Sequence, residues 1–289
     1  MSDSLAFLNG RIIPAGELRI SPLDAGFVWG ATATDRIRTY AHRPYLLAEH
    51  VARFGRTAEL CRVPLAAVDL IPPAEQLIEH NAALLPESEE LFLILLATPG
   101  ECARPTLAMH TVPLDADAYR PLLARGAKLV VPSIRHVPAR CQPPTAKMRS
   151  RLFWWLAEQE AHAVDPESSA LLLDLAGCVT ETAAANFLIV QNKVVVSPPR
   201  SAVLDGISLG VVEELCREVG LAFVERSFDL DACYGADEAL LTSTPYGVAG
   251  VSLLNGRPVP WPGPVLGQLH DAWCGRLRQE IWRPVLAGR

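Results

Sequence analysis

The 289-residue sequence predicts a mixed α+β protein of two domains. Its length corresponds to about two domains at roughly 100–200 residues each. Short apolar runs of strand type alternate with apolar stripes of helical spacing in both halves. Between the halves, residues 113–126 turn polar and proline-punctuated, with Pro113, Asp115, Asp117 and Pro121 ahead of Gly126. Such a stretch marks a boundary. It gives a small N-terminal domain over 1–117 and a larger C-terminal domain over 125–289.

Each element has its own warrant. Residues 5–40 read as strands, and Asn9-Gly10 is a two-residue hairpin signal. After Pro44, Leu47, Val51, Phe54, Ala58 and Cys61 recur at helical steps, while His50, Arg53 and Thr57 share a different face. A second helix spans 73–84, with Pro73 as its first residue. The apolar run Leu91–Thr98 suits a strand buried on both faces and stopped by Pro99-Gly100. In the second half a strand begins at Lys128, and a proline-rich loop over 137–145 leads to a helix over 149–163 whose apolar face carries Leu152, Trp155, Leu156 and Ala163. Strands follow at 170–175, 186–190 and 194–196, with Gln191-Asn192-Lys193 as a hairpin tip. A helix over 207–219 carries the stripe Ile207, Val211, Leu215, Val219 and stops at Gly220. Strands return at 222–226, 239–242 and 248–253, the last turning at Asn255-Gly256.

Composition removes several classes of function. A formal charge of −6 argues against a nucleic-acid partner, which would need a surplus of cations. No apolar run reaches the roughly 18 residues of a membrane span, and the first residues carry an acid rather than a signal-peptide pattern. A soluble cytoplasmic protein is expected. Seven dispersed cysteines without C-x-x-C fit reduced thiols, and the histidines lack metal-ligand spacing, so no metal site is expected.

Four sets of residues are candidates for chemistry. Gly206-Ile-Ser-Leu-Gly210 matches the G-x-S-x-G turn of serine hydrolases, with Ser208 as nucleophile, but no apolar strand runs straight into it and no oxyanion loop lies upstream. The same residues open a helix, whose first N–H groups lack intrahelical partners and favour an anion. Gly206 permits close approach, Ser208 adds a hydroxyl, Thr242-Ser243-Thr244 is a second hydroxyl-rich strand end, and Arg53 offers a forked donor for phosphate. Lys147 is one of only three lysines, and it follows a proline-rich loop just before a helix, where the positive end of the helix dipole favours a neutral amine. Lys128 and Lys193 occupy a strand start and a hairpin tip, where solvated charges are expected. Finally, Glu181 and Asn186 are polar residues inside a segment of apolar and small side chains, where an ionised carboxylate needs a partner.

Taken in order, Asp24-Ala-Gly-Phe-Val-Trp-Gly30, Arg38-Thr-Tyr40, Glu49-His-Val-Ala-Arg53, Lys147, Val179-Thr-Glu181 with Asn186, Leu204-Asp-Gly-Ile207 and Leu241-Thr-Ser-Thr244 resemble the fold-type IV family of pyridoxal-phosphate enzymes, the class IV aminotransferases. The likeness covers nearly the whole chain. It implies a small N-terminal α/β sandwich-like domain, a larger β-rich pseudo-barrel domain and a homodimer. It also implies pyridoxal 5'-phosphate as cofactor, Lys147 as the Schiff-base lysine and Glu181 as partner of the pyridine nitrogen. Arg53, Ile207, Ser208 and Thr244 would form the phosphate cup and Leu204 would pack against the ring, with Asn186, Gly206 and Ser243 as further cofactor-binding residues.

The implied reaction moves an amino group between an amino acid and a 2-oxo acid. Departures fall on the substrate side, because Gly30-Ala-Thr-Ala-Thr-Asp35 lacks the aromatic residue the family carries at Thr34. Thr32, Thr34 and Arg104 are the substrate candidates, Arg104 standing where D-amino-acid aminotransferases place an arginine. The run Lys147-Met-Arg-Ser-Arg-Leu152 also resembles aminodeoxychorismate lyases, which release pyruvate. That lyase activity is the alternative reading, ahead of a catalytically silent cofactor binder and the Ser208 hydrolase.

Overall fold

The computed structural model describes residues 3–65, 68–102 and 104–277, so positions 278–289 of the expected second domain lie outside the described residues. The chain divides into two compact units, one of Met1–Leu114 with Ala146–Arg151 and one of Asp115–Thr145 with Leu152–Arg289.

The first unit contains β1 (Leu5–Leu8), β2 (Arg11–Pro14), α1 (Ala25–Val28), β3 (Ala33–Tyr40), β4 (Arg43–Pro44), α2 (Leu47–Leu60), α3 (Ile71–Ala82), β5 (Leu91–Glu101) and β6 (Arg104–Pro113). Its strands form one sheet in the order β2-β1-β6-β5-β3-β4. Period-2 alternation sends Ala33 and Ile37, Leu93 and Leu95, and Met109 to one face, where they meet Leu47, Phe54 and Ala58 of α2 and Ala74, Leu77 and Ile78 of α3. Asn9 and Gly10 both take positive φ, as a two-residue hairpin requires.

Two expectations change here. Helix α3 starts at Ile71, two residues before Pro73, because prolines are tolerated throughout a first turn whose N–H groups have no intrahelical acceptor. Pro99-Gly100 does not stop the strand. Instead β5 runs on to Glu101 through a register irregularity between Thr98 and Glu101. Gly100 has φ +75°, and a Cβ there would lie 1.6 Å from the Arg104 carbonyl oxygen, so the hairpin closes only over glycine.

The second unit contains α4 (Arg120–Arg125), β7 (Ala127–Val130), α5 (Leu152–Val164), β8 (Ser168–Leu173), β9 (Val179–Thr182), β10 (Asn186–Gln191), β11 (Val194–Ser197), α6 (Ile207–Glu218), β12 (Ala222–Glu225), α7 (Leu230–Tyr234), β13 (Glu238–Ser243), β14 (Gly247–Leu254), β15 (Arg257–Pro258) and α8 (Pro264–Leu277). Strands β10-β13-β14-β7-β8-β9 follow one another as neighbours, and β9 pairs back onto β10, so six strands close into a ring. The closing contact is the antiparallel register pair Glu181 and Asn186. Strand β10 meets β9 at its first residue and β11 at its last three, which lets one edge serve two neighbours. Leu129, Leu171, Phe187, Ile189, Leu241 and Val251 fill the core.

Helix α5 corrects the sequence expectation. It begins at Leu152 rather than near 149, and it buries Trp154, Ala157 and Ala161 while Leu152, Trp155 and Leu156 stay exposed. The helix is apolar on more than one side, so its spacing alone does not say which stripe faces the core.

Candidate active site

Two clusters of polar side chains are buried in this fold, one in each unit. The first is built on α2. His50, Arg53 and Thr57 follow at steps of three and four, share one helix face, and are all buried. Asp35 on β3 is oriented with Ala33 and Ile37 toward the helices and is fully buried. Arg53 donates from Nε to Asp35 Oδ2 at 2.9 Å and from Nη2 to Oδ1 at 2.8 Å, and His50 Nδ1 lies 2.8 Å from Oδ1. Burial alone would raise the Asp35 pKa, but the charges and hydrogen bonds of Arg53 and His50 hold it far below the usual carboxylate range. Burial pushes the His50 pKa down against the pull of Asp35.

Lys147 belongs to this cluster. Its backbone N–H donates to Thr57 Oγ1 at 3.2 Å and its carbonyl accepts from the Thr34 N–H at 2.9 Å. Met148 bridges to Ala33, and the Ser150 hydroxyl donates to the Gly30 carbonyl at 2.6 Å. The segment 147–150 is thus pinned along residues 30–34. The Lys147 residue is partly exposed as a whole, yet its amine is deep enough that desolvation is the main cause of a pKa lowered to about 7. Arg53, Arg151 and Arg36 add to the depression, and Asp35 opposes it. The sequence reading assigns this effect to a helix dipole. With α5 starting at Leu152, burial and neighbouring guanidinium groups carry it instead.

The second cluster is built on the ring closure. Asn186 Nδ2 donates to Glu181 Oε2 at 3.1 Å and to the Leu204 carbonyl at 2.9 Å, while the Leu204 N–H donates to Glu181 Oε1 at 3.1 Å. Both side chains are buried, so the isolated carboxylate suspected from sequence has partners. His136 adds a third, its Nε2 lying 3.7 Å from Glu181 Oε1. Helix α6 opens after Gly206 with no side chain capping it, which leaves its first N–H groups free of a side-chain acceptor beside the buried Ser208. A Cβ on Gly206 would stand 2.1 Å from Asn186 Oδ1, so the approach of α6 to this cluster demands glycine. Ser243 donates to the Ala184 carbonyl at 2.5 Å, and Thr244 is half-buried one residue beyond β13.

The remaining candidates are less central. Thr34 spends its hydroxyl on the Leu95 carbonyl at 2.9 Å and Thr32 on the Gly26 carbonyl at 3.2 Å. Arg104 is exposed at the start of β6. Lys128 pairs with Asp165 and Glu167 at 2.9 and 2.8 Å, and Lys193 has positive φ in a hairpin turn. Ser208 lies inside the first turn of α6 after an irregular loop, and the strand before it, β11, ends at Ser197. The strand-to-helix elbow of a hydrolase is therefore missing at this serine. Sequence reading misses His136 and the Asp35–His50 pair. The second is legible as an acid inside an apolar strand and a histidine one turn from Arg53.

Comparison with known proteins identifies the family. Residues 32–254 match the family model described as amino-transferase class IV. The chain is 27% identical over 285 residues to the D-alanine aminotransferase of Staphylococcus aureus strain MSSA476, covering 92% of this chain and 95% of that one. It is 25% identical over 291 residues to the D-alanine aminotransferase of Bacillus licheniformis, covering 96% and 98%. Among solved structures it is similar to the T.th. branched-chain amino acid aminotransferase with pyridoxamine 5'-phosphate, at a TM-score of 0.84 and 26% identity over 98% of this chain and 96% of that one. The family match and the likeness of fold together define an aminotransferase. The chain belongs to the class IV aminotransferase family, and these names favour transamination over the lyase alternative.

Proposed function

We propose that the protein is a pyridoxal 5'-phosphate-dependent transaminase that uses Lys147 as its reactive amine and exchanges an amino group between an amino acid and a 2-oxo acid. The observation that carries this is the Lys147 amine, whose pKa of about 7 leaves much of it neutral and nucleophilic near neutrality. The residues fit the group. An uncapped helix start with Ser208 suits a phosphate, the Arg53 fork being engaged by Asp35, and the hydrogen-bonded Glu181 carboxylate suits a protonated pyridine nitrogen.

When bound, the cofactor supplies an aldehyde that condenses with amines and a ring that takes up the electron pair left at the substrate Cα. The chain does the rest. The α6 start, Ser208 and Thr244 would hold the phosphate. Glu181, positioned by Asn186 and the Leu204 N–H, would keep the ring nitrogen protonated. The Lys147 Nζ would accept the substrate Cα proton and return it.

Two further parts of this reading rest on surfaces and thiols. Phe27 and Trp29 at α1 are 77% and 79% exposed, and Trp155 on α5 is 63% exposed. Apolar groups of this size are seldom left to water, which supports a homodimer. Sedimentation at the monomer mass at micromolar concentration would sink that part. Among the described residues no two cysteines form a disulfide, which supports a reducing compartment such as the cytoplasm.

The test is spectroscopic. Purified protein is expected to show a visible absorption band that amino acid bleaches and 2-oxo acid restores. Lys147→Ala loses band and turnover, while Lys128→Ala and Lys193→Ala keep both. A band retained in Lys147→Ala defeats the assignment.

A further inference from the structure

Residues 198–206 connect the end of β11 to the start of α6 and are held on two sides. On one side the Leu204 N–H and carbonyl are bonded to Glu181 and Asn186. On the other, a single guanidinium gathers three carboxylates. Arg200 donates from Nη1 to Asp205 Oδ1 at 2.7 Å, from Nη2 to Glu213 Oε2 at 2.6 Å and from Nε to Glu225 Oε1 at 2.9 Å. Its backbone N–H donates to Glu225 Oε2 at 2.9 Å. Glu213 belongs to α6, and Glu225 ends β12 in register with Ser197, so one side chain that is only a quarter exposed ties loop, helix and strand together.

Asp205 immediately precedes Gly206, the N-cap of α6. The first N–H groups of a helix attract any carboxylate within reach, which is why aspartate is a favoured cap. Asp205 turns its Oδ1 to Arg200 instead, and among the described residues no side chain caps the helix. The turn itself is left open to an anion. Ile207-Ser-Leu-Gly210 carries no charged side chain, and the Ser208 hydroxyl, on a residue 8% exposed, makes no hydrogen bond among the described residues. With no cation in that turn to offset it, a released carboxylate at 205 would occupy the N–H groups or repel a phosphate beside them.

We propose that Arg200 is a positioning residue for phosphate binding at the start of α6: it draws the Asp205 carboxylate off the helix's first N–H groups and offsets its charge, leaving those groups to the anion. Arg200 acts through Asp205 in this role. The inference rests on the proposed function, which identifies the anion as the phosphate of the cofactor.

The test is cofactor retention, read without turnover. Holoenzyme in its pyridoxamine 5'-phosphate form is diluted until the cofactor dissociates, and fluorescence of the released cofactor gives the dissociation constant. Arg200→Met is expected to weaken retention about tenfold, the worth of one poorly screened charge beside a dianion. Arg200→Lys loses less. The decisive variant is Arg200→Met combined with Asp205→Ala, which should return to within about threefold of wild type, because the competing carboxylate is gone. Asp205→Ala alone should retain cofactor at least as well as wild type, and this arm stands even where Arg200→Met does not fold. Looser retention in Asp205→Ala overturns the proposal. So does equal retention in Arg200→Met and wild type, or a loss in Arg200→Met that Asp205→Ala does not relieve, which makes Arg200 a structural tie only. A wild type that holds no pyridoxamine 5'-phosphate defeats the transaminase reading and this inference with it, whereas the other failures leave that reading intact.

Discussion

Arg53 grips Asp35 with two parallel hydrogen bonds, 2.9 and 2.8 Å long, in a place where neither side chain reaches bulk water. The pair joins α2 to β3 and fixes a guanidinium in the first cluster. Removing one partner leaves the other charge buried and alone, a loss of about 3–5 kcal/mol. Asp35→Asn is expected to lower the unfolding free energy by that order. Because the folded pKa of Asp35 is depressed, its stabilisation is in place above the ordinary value of 3.8 and is lost as pH falls below it. The variant's stability should then fall less steeply through the acid range than wild type. Parallel acid limbs in urea titrations across that range refute this account.

Lys147 gives a second expectation. In cofactor-free protein, the rate of pyridoxal 5'-phosphate capture depends on the neutral amine, which predominates above the folded pKa of about 7. Capture should rise with pH through about 7 and level off, well below the ordinary lysine value of 10.5. Removing a cation should shift the curve upward, because Arg53 depresses this pKa. A capture rate still climbing steeply at alkaline pH contradicts the burial argument.

His136 offers a third. Its Nδ1 lies 3.1 Å from the Val137 carbonyl, which can only accept, so Nδ1 carries a hydrogen. That leaves Nε2 as the ring nitrogen beside Glu181, 3.7 Å from its Oε1. His136→Ala should therefore lose more turnover than Phe153→Ala, which keeps the imidazole beside the carboxylate. An equal loss in both assigns His136 to packing beside Phe153 and Trp154.

Much of this site is readable in the sequence. Lys147 stands out because lysines are scarce, and Glu181 with Asn186 because polar residues interrupt an apolar run. The α2 stripe is visible, but periodicity names only the apolar half as a packing face. It does not reveal that His50, Arg53 and Thr57 are buried too, because their burial depends on Asp35 arriving from another element. Helix α5 misleads for the opposite reason. Its exposed Leu152, Trp155 and Leu156 obey the same spacing as a core stripe, and spacing cannot distinguish a face packed in one's own chain from one left outward. The strand through Pro99-Gly100 shows the same limit, since the bulge there satisfies groups that a local reading takes as a stop.

The rung between Glu181 and Asn186 closes the six-stranded ring and also positions the carboxylate assigned to the cofactor. Under the proposed function, one clasp therefore serves both architecture and chemistry. An engineer who wishes to retune the electronics at position 181 must do so without unlatching the cylinder, and a screen that scores product alone will confuse the two injuries. Thermal melting measured beside activity separates a dulled reagent from a sprung barrel.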